Sequence, residues 1–334
     1  MQAYRRNGLF RALASSTLAL SLGLGLAIAP AAAETVLRLA HFGAEMHPSN
    51  IAAKQMAAKL AERTKGEVRI EIYPANQLGS PPEQLEQTKL GVVDMSLPTE
   101  GQLDKYEKAF AVVMSPFVFR DYAHAHQVLD GPFMEWVAPK LDKLNLVMLS
   151  NWEYGFRNVT NNKHPVNSPD DMVGLKMRTP PEVQLVAAME ALGASATQIA
   201  FPELPNALNQ GVVDGQENPI GVIYHYKLND FQPHLALTKH SYNNMIHVIS
   251  KSSWDKLTPE QQTILREESV AAGQLMRKLV QEQEGKELAE LEAKGMKITR
   301  PDTAAFKAKM APAYERIAEY AGKENMETFL AMVK

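Results

Sequence analysis

Hydrophobic and polar positions alternate along the chain with two periods, one of strands and one of helices. Val36 to His41 alternates as a half-buried strand does. Pro48 and Ser49 then open a helix running to Lys65, with Ile51, Met56 and Leu60 on one stripe and Gly66 as its stop. Val68, Ile70 and Ile72 alternate with polar residues and predict a second strand. Pro81 to Leu90 reads as a helix and Val92 to Leu97 as a third strand. Strand, helix, strand, helix, strand predicts a mostly parallel sheet.

The same grammar returns later. Leu175 to Met177 is a predicted strand, Pro181 to Leu192 a helix ended by Gly193, Thr197 to Ile199 a strand and Phe201 to Asn209 a helix. Gly91-Val92-Val93-Asp94 recurs as Gly211-Val212-Val213-Asp214, each time after a helix. The pattern describes two similar α/β lobes, with Pro98-Thr99-Glu100 and Gln216-Glu217-Asn218 emerging at strand ends that face a cleft. Thr258-Pro259-Glu260-Gln261 is a capping box that opens a long helix to Ala293. Gly273 is a weak point within it, Gly295 stops it, and a last helix starts near Asp302.

Met1 to Ala33 reads as a secretory signal: Arg5, Arg6 and Arg11, an apolar core from Leu18 to Ile28, and Ala31-Ala32-Ala33 as the cleavage site. Removing those 33 residues from 334 leaves 301, enough for two lobes, and takes the net charge from −3 to −6 because three arginines leave with it. An acidic chain has no basic surplus to attract nucleic acid. Cysteine is absent, and a chain this large buries enough surface to fold without disulfides.

The clearest chemistry lies in Gly174-Leu175-Lys176-Met177-Arg178-Thr179-Pro180. The strand ends on Arg178, and Pro180 pushes Thr179 out of helical space. A guanidinium at a strand's carboxyl end lies where open α/β sheets bind ligands, and its planar fork fits a carboxylate. Upstream, Asn151-Trp152-Glu153-Tyr154-Gly155-Phe156-Arg157-Asn158 mixes flat apolar surfaces with polar groups, the composition of a small-molecule pocket. No phosphate loop, nucleophile elbow or paired-histidine zinc motif occurs. His124 and His126 are two apart, on different faces of a helix, so neither metal nor cofactor is expected. The residues alone describe an exported, two-lobed carboxylate binder.

Four stretches in this order carry a resemblance over nearly the whole exported chain: Tyr73-Pro74-Ala75-Asn76-Gln77-Leu78-Gly79, Gly155-Phe156-Arg157, Gly174 to Pro180, and Val213-Asp214-Gly215-Gln216-Glu217-Asn218-Pro219. The chain resembles the solute-binding proteins of tripartite ATP-independent periplasmic (TRAP) transporters. The resemblance implies an α/β, two-lobed periplasmic-binding-protein-like fold with hinge strands and a long bracing helix. It implies lobe I over residues 34–153 and 244–282 and lobe II over 154–243 and 283–334. It implies that Arg178 forms a salt bridge with a ligand carboxylate, that Asn218 helps hold it, and that Arg157 is a second arginine of the site. It also implies a periplasmic location and membrane partner subunits that move the substrate with a sodium gradient; a monomer is expected.

Some sialic-acid-binding members place a glutamate where this chain has Thr99, with Glu100 next to it. Glu153 beside Trp152 offers a hydroxyl acceptor that would repel a plain dicarboxylate. Glu45 and His47 complete the candidate ligand contacts. This favours a sugar acid such as glucuronate or galacturonate. The alternatives are a four-carbon dicarboxylate or keto acid, held by Arg157 and Arg178 on one carboxylate each, and a periplasmic sugar-acid lyase or hydrolase.

Overall fold

Both expected strand–helix repeats form, and each builds a three-stranded parallel ribbon. The computed structural model describes residues 34–334, and the signal expected over residues 1–33 lies outside them. In the first ribbon β1 (Thr35–Ala40) lies between β2 (Val68–Tyr73) and β3 (Met95–Ser96). Two long antiparallel strands, β4 (Leu146–Asn161) and β8 (His234–Ser250), run through the middle of the sheet. In the second ribbon β5 (Lys176–Thr179) lies between β6 (Ser195–Gln198) and β7 (Gly215–Asn218). β3 pairs with β8 and β7 with β4, giving the order β2-β1-β3-β8-β4-β7-β5-β6, with β9 (Lys297–Thr299) beside β8. Two α/β lobes thus share one pair of through-strands.

The four-residue echo is a repeated structural device. Gly91 and Gly211 both end a helix in the left-handed region, at φ +72° and +67°, where a side chain would be strained. The aspartate three positions on then accepts a hydrogen bond from a backbone N–H of the neighbouring parallel strand. Asp94 Oδ2 takes Arg38 N at 2.8 Å, and Asp214 Oδ2 takes Lys176 N at 2.9 Å. Asp214 thereby satisfies the donor that begins β5, and Asp94 a donor in the middle of β1. This turn also shortens the third strand expected over Val92–Leu97: only Met95 and Ser96 pair, because the preceding residues form the turn.

The long helix spans Pro259–Ala293, 35 residues, and opens on the capping box, with Gln261 N donating to Thr258 Oγ1 at 3.2 Å and Thr258 N to Gln261 Oε1 at 3.0 Å. It packs on one face of the through-strands, where its Leu265, Ala272 and Met276 bury Trp152 and Met245 together with Met56 and Leu60 of the helix Pro48–Arg63. On the opposite face Phe156, Tyr242 and Ile246 belong to a separate apolar core with Phe119 and Phe133. In β8 that split follows from strand alternation, which sends Met245 to one face and Tyr242 and Ile246 to the other. In β4 Trp152 and Phe156 share parity, and the extra residue at Tyr154 turns them to opposite faces. The pairing of β4 and β8 breaks register three times: between Met148 and Ser150, where Leu149 is the extra residue, between Glu153 and Gly155, where Tyr154 is, and between Arg157 and Val159.

Candidate functional site

Arg178 is the third residue of β5 rather than the residue after it, and its side chain is buried, 1 % exposed. Its Nε donates to Ile199 O at 2.9 Å, while Nη2 is buried without a partner. Burial pushes its pKa down to about 10, with the Arg157 charge adding to that and Glu217 opposing it. A desolvated guanidinium left this way is unstable unless an anion completes it. The Phe201 ring stands 5.9 Å from it, and Phe201, Phe42 and Tyr154 form an edge-to-face aromatic group beside it.

Arg157 presents the opposite case. Nη2 donates to Glu217 Oε1 at 2.8 Å, Nε donates to Glu217 Oε2, and both side chains are buried. Nη1 reaches Asn243 Oδ1 at 3.3 Å, and His240 Nε2 lies 3.3 Å from Glu217 Oε2. Burial opposes ionisation of both members, yet each charge overrides it: Glu217 raises the Arg157 guanidinium, and Arg157 holds the Glu217 carboxyl below its usual range. Asn218 is fixed by this pair, its Oδ1 accepting from Arg157 Nη2 at 3.1 Å and from the Tyr154 hydroxyl at 3.4 Å.

Arg178, Arg157, Asn218 and Thr99 line one cavity of about 40 Å³. Thr99 reaches it because Pro98 O and Thr99 join β8, through Ile246 N at 2.8 Å and a bridge to Met245. The cleft is shut by contacts between the lobes, Thr99 Oγ1 donating to Glu182 Oε1 at 2.9 Å and the Tyr226 hydroxyl donating to Phe42 O. Small-molecule pockets hold about 300–1,000 Å³, so entry of an organic acid requires the lobes to part.

Five expected contacts lie elsewhere. Trp152 is in the core under the long helix, its Nε1 donating to Ser269 O at 3.1 Å. Glu153 alternates to the other face and meets His126 Nε2 at 2.7 Å. Glu100 is buried beside Thr99 but off the cavity, both its oxygens without partners, and burial pushes its carboxyl well up. Glu45 is exposed and paired with Lys54. His47 caps the helix Pro48–Arg63 through Nδ1, which accepts from Ser49 N at 3.2 Å. Sequence reasoning missed Glu182, Gln102, Phe42 and Phe201, all on the cavity wall. An acid directly after Pro180-Pro181, four residues past Arg178, was the available signal for Glu182.

Two lobes on shared through-strands, closing over an unpaired buried arginine, define a solute-binding protein for organic acids. The chain belongs to the bacterial extracellular solute-binding protein family 7, whose model matches residues 39–320. It is 34 % identical over 271 residues to the 2,3-diketo-L-gulonate-binding periplasmic protein YiaO of Escherichia coli, covering 81 % of this chain and 83 % of that protein. Among solved structures, a TRAP periplasmic solute-binding protein from Polaromonas sp. JS666 bound to D-erythronate superimposes with a TM-score of 0.85 at 32 % identity, over 89 % of this chain and 99 % of that one. Another, from Sulfurospirillum deleyianum with bound succinate, gives 0.84 at 28 % identity, over 90 % and 99 %. The chain is a TRAP solute-binding protein, and among the described residues no helix is long and apolar enough to cross a membrane.

Proposed function

We propose that this protein captures a hydroxylated monocarboxylate, a sugar acid such as a hexuronate, in the periplasm after loss of residues 1–33 and delivers it unchanged to membrane subunits of a TRAP transporter. The observation that carries the ligand class is the unequal state of the two arginines. Arg178 Nη2 is free to take a ligand carboxylate, whereas Arg157 is already held by Glu217. A dicarboxylate held by one arginine at each end would have to displace Glu217 from a buried ion pair, which is costly. The aromatic group of Phe42, Tyr154 and Phe201 supplies apolar surface for a sugar's C–H face. Relatives named for 2,3-diketo-L-gulonate and holding D-erythronate support polyhydroxy acids; the succinate-bound relative keeps the dicarboxylate as the competing reading.

Calorimetric titration of the signal-free chain with D-glucuronate, D-galacturonate, D-gluconate, D-erythronate, succinate and malate tests this. Tightest binding by one of the hydroxy monocarboxylates is expected. Tighter binding of succinate or malate than of every sugar acid overturns the assignment.

A further inference from the structure

Glu182 occupies the N-cap of the helix Val183–Ala191, where a side-chain oxygen ordinarily accepts from the first turn, and it makes no such bond. Its carboxyl turns into the cavity that Arg178 lines. Oε1 accepts from Thr99 Oγ1, and Oε2 is buried without a partner. Thr99 departs from the rule in the same way: it is the N-cap of the helix Glu100–Leu103, makes no cap bond, and donates its hydroxyl across the cleft. Two cap residues in opposite lobes thus leave their own helices and meet on a cavity wall. The contact joins the two sides of the cleft at the cavity that Arg178 lines.

The room for this arrangement is specific. A Cβ on Gly101 would lie 2.6 Å from Glu182 Oε2, so the glycine leaves space for the carboxyl. Gln102 Oε1, on the same wall, is also buried without a partner. The cavity therefore presents one unpaired cationic donor, Arg178 Nη2, one unpaired carboxylate acceptor, Glu182 Oε2, and the Gln102 amide, which can turn either end to a ligand. A ligand with one carboxylate and adjacent hydroxyls satisfies all three. A second carboxylate would face Glu182 with no free cation.

We propose that Glu182 is the specificity-determining residue of this site, accepting a hydrogen bond from a ligand hydroxyl while Thr99 ties it to the other lobe. Hydroxylated monocarboxylates then complete the closed cleft, and dicarboxylates are disfavoured. This rests on the sugar-acid reading above and adds the residue that reads the hydroxyls. Burial raises the Glu182 carboxyl to about 7, against the opposing Arg157 charge, and the group offers an acceptor oxygen in either ionisation state.

Wild type, E182A and E182Q are titrated calorimetrically with D-galacturonate, D-gluconate, D-erythronate and succinate, with unliganded melting curves as the fold control. The tightest hydroxy acid should weaken about 30-fold in E182A and about fivefold in E182Q, while succinate weakens less than about threefold or tightens. If the preference over succinate stays within about twofold of wild type in both variants, or in E182Q alone should E182A not fold, the inference is overturned and the sugar-acid reading stands. If wild type prefers succinate, or binds none of the probes, both fall together.

Discussion

A Cβ placed on Gly273 would stand 2.4 Å from the backbone oxygen of Asn151 and 3.1 Å from Trp152 Cδ1. The long helix therefore lies directly against the backbone of β4, between its first two register shifts. The glycine is a contact requirement, not a weak point in the helix. Gly285, in the same helix, has nothing within 4 Å of its would-be Cβ. Gly273→Ala should destabilise by about 1–3 kcal/mol through overpacking against a backbone that cannot yield. Gly285→Ala should be neutral or stabilise by up to about 1 kcal/mol. Paired thermal melts decide this, and equal effects at the two sites would contradict the close approach.

Arg178 is built for a ligand at the expense of the empty fold. Arg178→Met, which removes an uncompensated buried charge at similar length, should leave unliganded stability unchanged or higher. The same variant should weaken binding of the best organic acid by about 2–5 kcal/mol, and Arg178→Lys should also bind poorly because an ammonium lacks the fork. A melt and a titration on each variant check both halves; binding within about threefold of wild type in Arg178→Met would place the carboxylate elsewhere.

Glu217 predicts the converse. Glu217→Ala strands the buried Arg157 and should cost about 3–5 kcal/mol of stability before any ligand is added. Denaturant unfolding measures it. A loss under about 1 kcal/mol would mean that Arg157 finds another partner and is available to a second carboxylate.

Stability should carry a pH signature from Glu182. Its carboxyl titrates near 7 in the fold, against an ordinary value of 4.5, because burial outweighs the Arg157 charge. Between those values the folded state binds the extra proton, so this contribution is fully present below pH 4.5 and lost as pH rises to about 7. His41 runs the other way: burial lowers its pKa to about 4, so its neutral folded form loses stability as pH falls below 6.5. Comparing wild type with Glu182→Gln cancels the histidine. The variant should gain on wild type as pH rises from about 4.5 to about 7.5. A difference in melting temperature that is flat with pH would show that Glu182 is not held as a neutral acid.

The register shift at Tyr154 places a break in the through-strands between residues 153 and 155, opposite Asn243 and Asn244. We expect the lobes to open there, with the Thr99–Glu182 contact breaking. Small-angle scattering should show a larger radius without ligand than with a saturating one. Superimposable curves would mean a rigid cleft.

Local periodicity determined the two strand–helix repeats, the capping box and length of the long helix, and the echo whose aspartates prove equivalent. Each depends on residues only a few positions apart, so a single sequence suffices to read it. The strand end carrying Arg178 was legible for the same reason. What chain neighbours could not decide was where adjacent side chains go. Trp152, Glu153 and Tyr154 are consecutive, yet alternation and a bulge send them to a core, to His126 and to the cavity wall. Partner choice was equally hidden: Arg157 meets Glu217 from 60 positions away, and Thr99 meets Glu182 from 83. As letters, Arg157 and Arg178 are alike. The tertiary structure alone separated them, because whether a buried charge is satisfied depends on what the fold packs around it, and that is set by contacts distant in the chain.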